Sequence, residues 1–342
     1  VIVRARAPLR LGLAGGGTDV SPFCDNYGGA VMNASIDKFA YATITASEGN
    51  TVSFNAIDRN AQDTWPVGTI DCKAPELQLI HGVYDRIRRD FLDDAPAISI
   101  KTYSDAPPGS GLGSSSTMVV AIVTAMAEYF RLPLGEYEIA RLAYEVERKD
   151  LGLTGGKQDQ YAATFGGFNF MEFGAEDRVV VNPLRIKDWI VSELESSIVL
   201  YFTGVSRESA RIIDEQVMNA REGIKDPLEA MHELKQEAVQ MKQDLLRGDI
   251  DGFAKTLQRG WLAKKRMASS VSNPMIDSLE RIGARAGAKA VKVSGAGGGG
   301  FMMFVCDPVD RISLCRALLE QGGSVLDFHF NSQGATSWTL HQ

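Results

Sequence analysis

The sequence predicts an α+β chain of two domains, residues 1–188 and 189–342, and three observations carry that expectation. Its 342 residues exceed what one ordinary hydrophobic core organises, so two cores are expected. The first half mixes β-type alternation with helical periodicity. The second half reads strand, helices, strand, strand, helix, strand, the order of a ferredoxin-like layer of helices on an antiparallel sheet.

In the first half, VIVRARAPLRLGLAGGGTDV predicts a short strand, a break at Pro8 and a second stretch that stops at Gly15, Gly16 and Gly17. Residues 30–46 and 51–57 alternate as strands do, with Gly49 and Asn50 as their turn. ELQLIHGVYDRIRRDF spaces its apolar residues as a helix does, and AISIKTYSDAPPG is a strand entering a proline-glycine loop. A helix over 115–130 follows, then EYEIARLAYEVERKDLG, a helix that Gly152 ends. GGFNFMEF and DRVVVNPL pair as strands and close the domain.

In the second half, SSIVLYFTG is a buried strand, PLEAMHELKQEAVQMKQDLLRGD a long amphipathic helix and GFAKTLQRGWLAKKRM another. MIDSLERIGARAG is a helix, AVKV and FMMFVCD are strands joined by glycines, and DRISLCRALLEQGG is a helix before the last strands.

Composition narrows the function. A formal net charge of −7 argues against a general binder of nucleic acid or anionic membrane, which needs a broad positive field. Any anionic ligand is then held by local groups. Cys24, Cys72, Cys306 and Cys315 show no C-x-x-C spacing and the histidines are scattered, so neither a metal cluster nor a disulfide framework is expected, which suits a reducing cytoplasm. No signal-peptide pattern and no run of about 20 apolar residues supports export or membrane insertion.

Chemistry concentrates in PPGSGLGSSST, residues 107–117. It lacks the lysine of the Walker pattern. Gly109, Gly111 and Gly113 nevertheless let successive N–H groups turn inward, and the helix behind them points its positive end back at the loop. Pro108, Ser110 and Leu112 complete that loop, and Ser114, Ser115, Ser116 and Thr117 open the helix, where hydroxyls cap N–H groups or reach a phosphate oxygen or Mg²⁺. The competing reading is a glycine-rich turn with ordinary serine caps. SGAGGGG at 294–300 carries more glycine than a hairpin needs, so something is expected to approach its backbone closely, Gly297 and Gly298 included. Gly16 and Gly17 precede Thr18 and Asp19, a carboxylate that either caps its own turn or accepts from ligand hydroxyls.

Three glycine-rich segments in this order resemble the GHMP kinase superfamily, over essentially the whole chain, with PPGSGLGSSST the most specific part. The resemblance implies an N-terminal ATP-binding α+β domain with a left-handed βαβ crossover, a ferredoxin-like C-terminal domain, and ATP with Mg²⁺. It places a Mg²⁺-binding serine at Ser116, with Ser115 the near alternative, the acidic metal partner at Glu147, and the aspartate near the transferred phosphoryl at Asp159. KVSGAGGGGF matches the loop that closes over phosphates and substrate.

Lys157, two positions from Asp159, is expected to share its pocket and to lower the aspartate's pKa. Thr18, Asp19 and Gln158 are expected at the sugar. Arg10 and Arg207 are the candidates for a distal phosphate, remote from the triphosphate loop, each weighed against a structural salt bridge. The adenine pocket is sought between Trp65 and Leu79.

Within the superfamily, RAPLRLGLAGGGTD and TGVSRESA resemble the branch of heptose 7-phosphate kinases and fucokinases, the former more closely. The implied reaction is phosphorylation of a sugar phosphate at its anomeric hydroxyl, in the cytoplasm, with small-molecule partners and a homodimer left open. The rivals are a kinase of an unphosphorylated sugar such as L-fucose, a non-catalytic sugar and ATP sensor, and a mevalonate-type kinase.

Overall fold

The computed structural model describes residues 1–205 and 209–341, so Arg207 lies outside the described residues. The N-terminal part contains strands β1 (Ile2–Ala14), β2 (Gly29–Ala46), β3 (Thr51–Ala56), β4 (Ala61–Pro66), β5 (Ile98–Ser104), β6 (Phe168–Phe173) and β7 (Val179–Pro183). Its helices are α1 (Phe23–Tyr27), α2 (Gln78–Phe91), α3 (Ser114–Phe130), α4 (Glu136–Tyr144) and α5 (Gln158–Phe165). The second part runs α6 (Asp188–Ser197), β8 (Ile198–Phe202), α7 (Ser209–Arg221), α8 (Lys225–Arg247), α9 (Ile250–Met267), α10 (Pro274–Arg285), β9 (Ala288–Val293), β10 (Phe301–Cys306), α11 (Arg311–Leu319), β11 (Ser324–Leu326) and β12 (Thr336–Leu340).

The sheet of the second part has the order β11-β8-β10-β9, every pair antiparallel, which is the ferredoxin-like order that the sequence predicts. The other sheet follows β12-β1-β2-β5-β3-β4, with β6 and β7 branching from β2. The long β2 serves both branches because its two halves take different partners: residues 29–34 pair with β6 and residues 40–46 with β5. Among the described residues the one parallel pair is β3 with β5, and its crossover contains β4 and α2. Helix α3 is apolar on nearly every face and lies buried against β1 and β2.

Two findings revise the domain picture. One buried cluster joins Leu9, Leu11 and Leu13 of β1 and Met32 of β2 to Leu200, Met241, Leu257 and Met303 from the second part, so the two parts share a core. In addition β12 leaves the C-terminal part and pairs with β1, from Ile2–Leu340 to Arg6–Thr336, which covers the edge of the N-terminal sheet. Local sequence patterns do not mark β4, α1, α5, α6 or α7. Among the described residues no helix is long and apolar enough to cross a membrane.

Candidate active site

The glycine loop before α3 turns through left-handed backbone at Gly109, Gly111 and Gly113, with φ of +70°, +83° and +77°. It meets the second glycine loop backbone to backbone. A Cβ on Gly111 would collide with the carbonyl of Ser294, and one on Gly295 would lie 2.8 Å from the Gly111 Cα. The Phe301 N–H donates to the Ser110 carbonyl at 2.9 Å, and Ser294 Oγ to that of Gly111 at 2.9 Å. What the surplus glycine admits is therefore the other loop of the same chain. Gly295 and Ala296 line the cleft, whereas Gly297 and Gly298 turn away. A Cβ on Gly297 would lie 2.8 Å from the Val271 carbonyl, and Gly298 donates to that carbonyl at 2.8 Å and accepts from Asn273 at 3.1 Å. Leu112 is also absent from the cleft wall: it is core, and its carbonyl accepts from the Arg10 N–H at 3.1 Å.

The β1–β2 register shifts between Pro8 and Arg10, which frees that N–H for the loop and swings the guanidinium into the cleft. Arg10 is 4% exposed. Its Nε and Nη2 both lie 2.7 Å from Asp159 Oδ1, and Nη1 donates to the Gly111 carbonyl at 2.8 Å. Arg10 thus sits beside the triphosphate-type loop in a salt bridge, the alternative weighed against a remote phosphate fork. Asp159 stands in the first turn of α5 with its Cγ 3.3 Å from where a Gly113 Cβ would be, at the N-terminus of α3. Among the described residues its Oδ2 makes no hydrogen bond.

Glu147 falls in a π-helical stretch, Glu145–Asp150, that continues α4. Its buried carboxylate accepts from Ser115 Oγ at 2.8 Å, from Ser116 Oγ at 2.6 Å and from Gln160 Nε2 at 2.7 Å, with Arg148 Nη1 at 3.2 Å. Ser116 Oγ accepts in turn from Gln160 at 3.1 Å and Arg148 at 3.3 Å. The family resemblance pairs Ser116 with Glu147; it does not reveal Arg148 or Gln160, which hold them.

Three expected ligand contacts are instead structural. Thr18 Oγ1 is buried between the carbonyls of Gly15 and Ala30, at 2.8 and 2.9 Å, and accepts from the Ala30 N–H. Asp19, 1% exposed, accepts from the N–H groups of Gly17, Lys157 and Gln158 and from Gln158 Nε2, at 2.9–3.3 Å. A carboxylate has about four acceptor sites, so Asp19 is used up in anchoring the start of α5. Lys157 does not share the pocket of Asp159. It takes helical φ and ψ as the residue before α5, which turns its side chain to the opposite side, where Nζ is 2.9 Å from Asp177 and 3.5 Å from Asp25. Burial would pull its pKa down, but the Asp177 carboxylate, Cys24 and Tyr144 outweigh it and hold the ammonium above its ordinary value.

The cleft at the junction of the two parts has a volume of about 340 Å³, in the range of small-ligand sites. Gly16, Gly17 and Gln158 line it, together with two lysines that the sequence reading passed over. Lys264 of α9 donates to the Gly295 carbonyl and Lys292 of β9 to that of Gly12 at 2.7 Å. Burial, then Arg10, pulls Lys264 down to about 8; burial, then Lys264 and Arg10, pulls Lys292 well below its ordinary value. The wall gathers the basic side chains of Arg10, Arg148, Lys264 and Lys292 beside the carboxylates of Asp19, Glu147 and Asp159, so an acidic chain concentrates basic groups in this cleft. The signal for Lys264 was present: it continues the buried stripe Phe253, Leu257, Gly260, Met267. A second, smaller cavity of about 70 Å³ joins Pro108, Gly109, Ser114 and Ser115 to Arg59, Glu76, Leu79 and Met118. It reaches the end of the segment marked for adenine, while Trp65 packs in the core against Phe54.

Two glycine loops, one from each part of the chain, that meet over a helix N-terminus beside a carboxylate define a phosphoryl-transfer protein of the GHMP kinase family. The chain belongs to that family: residues 78–167 match its N terminal domain and residues 241–324 the GHMP kinases C terminal region. Over 99% of both chains it is 47% identical to a Campylobacter jejuni protein named D-glycero-alpha-D-manno-heptose 7-phosphate kinase. A solved structure from Bacteroides thetaiotaomicron, described as a D-glycero-D-manno-heptose 1-phosphate kinase, is 47% identical and superposes with a TM-score of 0.85 over 99% of this chain and 100% of the other. Galactokinase of Lactococcus lactis, solved with galactose, shares the fold at 17% identity, with a TM-score of 0.77 over 98% and 95% of the two chains. Members of this family are ATP-dependent kinases that generally use Mg²⁺.

Proposed function

We propose that this chain transfers the γ-phosphoryl group of ATP to the anomeric C1 hydroxyl of D-glycero-D-manno-heptose 7-phosphate, forming the 1,7-bisphosphate and ADP. The identity to the Campylobacter jejuni kinase supports the substrate. The observation that carries the chemistry is Asp159, held by Arg10 through Oδ1 alone at the N-terminus of α3.

In this reading the loop N–H groups and α3 hold the phosphates. Asp159 Oδ2 takes the C1 hydroxyl's hydrogen bond and receives its proton as the C1 oxygen bonds to the γ-phosphorus and the bond to ADP breaks. Arg10 fixes the carboxylate's orientation and adds positive charge beside the transferring group. Ser116 and Glu147 offer hard oxygen donors, which would fit Mg²⁺ once the Ser115 and Ser116 hydroxyls turn their protons off the carboxylate; the ion takes few protein ligands and completes its shell with phosphate and water. Bound there, it supplies the charge neutralisation that a Walker lysine gives elsewhere. The product would feed GDP-heptose and bacterial surface polysaccharide synthesis in the cytoplasm.

The test is ATP turnover with Mg²⁺ on heptose 7-phosphate, mannose 6-phosphate, L-fucose, galactose and mevalonate, with Asp159→Ala as control. Turnover confined to phosphorylated sugars and lost in the control is expected. Turnover of L-fucose alone would replace this reading with the fucokinase one, and ATP binding without any turnover would favour the sensor.

A further inference from the structure

The Gly15–Gly17 end of the cleft contains polar groups that the protein leaves only partly engaged. Lys264 is 4% exposed and its ammonium forms no ion pair among the described residues; its one hydrogen bond goes to the Gly295 carbonyl. The nearby carboxylates are engaged elsewhere, Asp19 by its four donors and Asp159 by Arg10. A buried cation without a counter-charge is costly unless something anionic joins it. Gln216 of α7 is 5% exposed, lines the same cleft, and its Nε2 is a buried donor with no acceptor among the described residues.

These two side chains converge on one turn. A Cβ on Gly16 would lie 3.7 Å from Lys264 Nζ, and one on Gly17 would lie 3.6 Å from the Gln216 carbonyl oxygen. Both come from helices of the C-terminal part that pack over the Gly15–Gly17 turn, whereas the transferred phosphoryl group already has the α3 N-terminus and Arg10. Burial and Arg10 leave Lys264 with a pKa of about 8, so it remains a cation at neutral pH.

We infer that Lys264 and Gln216 bind the non-reacting phosphate of the sugar, and that Lys264 determines the preference for a phosphorylated acceptor. The inference rests on the proposed reaction and adds the residues that recognise its substrate. An ammonium and an amide N–H are two donors matched to the oxygens of a phosphate dianion. The position replaces Arg10, which the structure commits to Asp159.

Steady-state kinetics of Lys264→Met, Lys264→Arg and Gln216→Ala test this, with heptose 7-phosphate and unphosphorylated D-glycero-D-manno-heptose as acceptors. For Lys264→Met, KM for the phosphosugar should rise about 10- to 100-fold, the loss of a charged hydrogen bond. Its kcat, its KM for ATP and its activity on the unphosphorylated sugar should stay within about threefold, and Lys264→Arg should recover part of the loss. Equal losses on both acceptors would overturn the inference by placing Lys264 on the shared chemistry, and so would an unchanged KM. Should Lys264→Met fail to fold, Gln216→Ala must show the same phosphosugar-selective rise, or the inference fails. A wild-type protein that turns over only unphosphorylated sugars would overturn the proposed reaction itself, and this assignment with it.

Discussion

Arg10 and Asp159 are joined through a single carboxylate oxygen: two guanidinium nitrogens lie 2.7 Å from Oδ1, and the third reaches the Gly111 carbonyl at 2.8 Å. One side chain of β1 therefore ties the acceptor-handling carboxylate to the phosphate loop. Asp159→Ala should lower kcat by roughly 10²- to 10⁴-fold with ATP affinity little changed. Arg10→Met should lower kcat as well and also cost about 3–5 kcal/mol of stability, because it leaves a largely buried carboxylate unpaired. Single-turnover kinetics and urea denaturation read the two effects separately. An active Asp159→Ala protein would remove Asp159 from the chemistry.

Ser116 Oγ and a Glu147 oxygen lie 2.6 Å apart, in reach of one small cation. Glu147→Gln should raise the Mg²⁺ concentration for half-maximal activity by at least about tenfold while excess Mg²⁺ restores part of the rate. A Mg²⁺ titration at saturating ATP decides this. An unchanged midpoint would mean that Glu147 only orders the serines.

Gly111→Ala places a Cβ at φ +83° and against the Ser294 carbonyl. The strained backbone alone costs about 1–3 kcal/mol. Because the contact ties the two parts of the chain, denaturation midpoint and KM for ATP should worsen together. A stable variant with normal ATP affinity would show that the loops part without consequence.

Buried Lys157 pairs with a partly exposed Asp177 away from the cleft. Burial opposes charge on Asp177, yet hydrogen bonds from Lys149 and Lys157 hold its pKa below the ordinary 3.8. Its contribution to stability is therefore complete above 3.8 and lost as pH falls through the lower folded value. Lys157, raised above 10.5, contributes fully below that pH and loses its share as pH climbs through the higher folded value. Lys157→Met should lower the melting temperature at pH 7, with the deficit shrinking toward pH 3, and keep kcat within about threefold. A collapse of kcat in a folded variant would restore Lys157 to the chemistry.

Lys264 has the opposite sign. Its folded pKa of about 8 lies below the ordinary 10.5, so the unfolded chain binds the extra proton between those values. Stability should gain from this residue as pH rises from about 8 to 10.5, and Lys264→Met should remove that slope. Melting curves across this range, wild type against variant, measure it; identical slopes would count against the buried placement.

The sequence by itself determined the local elements and the two glycine loops. Hydrophobic period and glycine punctuation are properties of neighbours along the chain, which is why α3, its loop, and the order of β8, β9, β10 and β11 were legible, as was the choice of Asp159, Ser116 and Glu147 once the family's motifs were matched. Only the tertiary structure decided direction and partner. Two residues apart in a strand face one way, but Lys157 immediately precedes α5 in a helical conformation, so it faces away from Asp159. Arg10 could not be paired with a carboxylate 149 positions away. Lys264 continues the buried stripe of α9, but only the packing of that helix over Gly16 brings its ammonium to the cleft. The shared core and the return of β12 to β1 likewise depend on contacts between distant segments, and no periodicity within either segment encodes them.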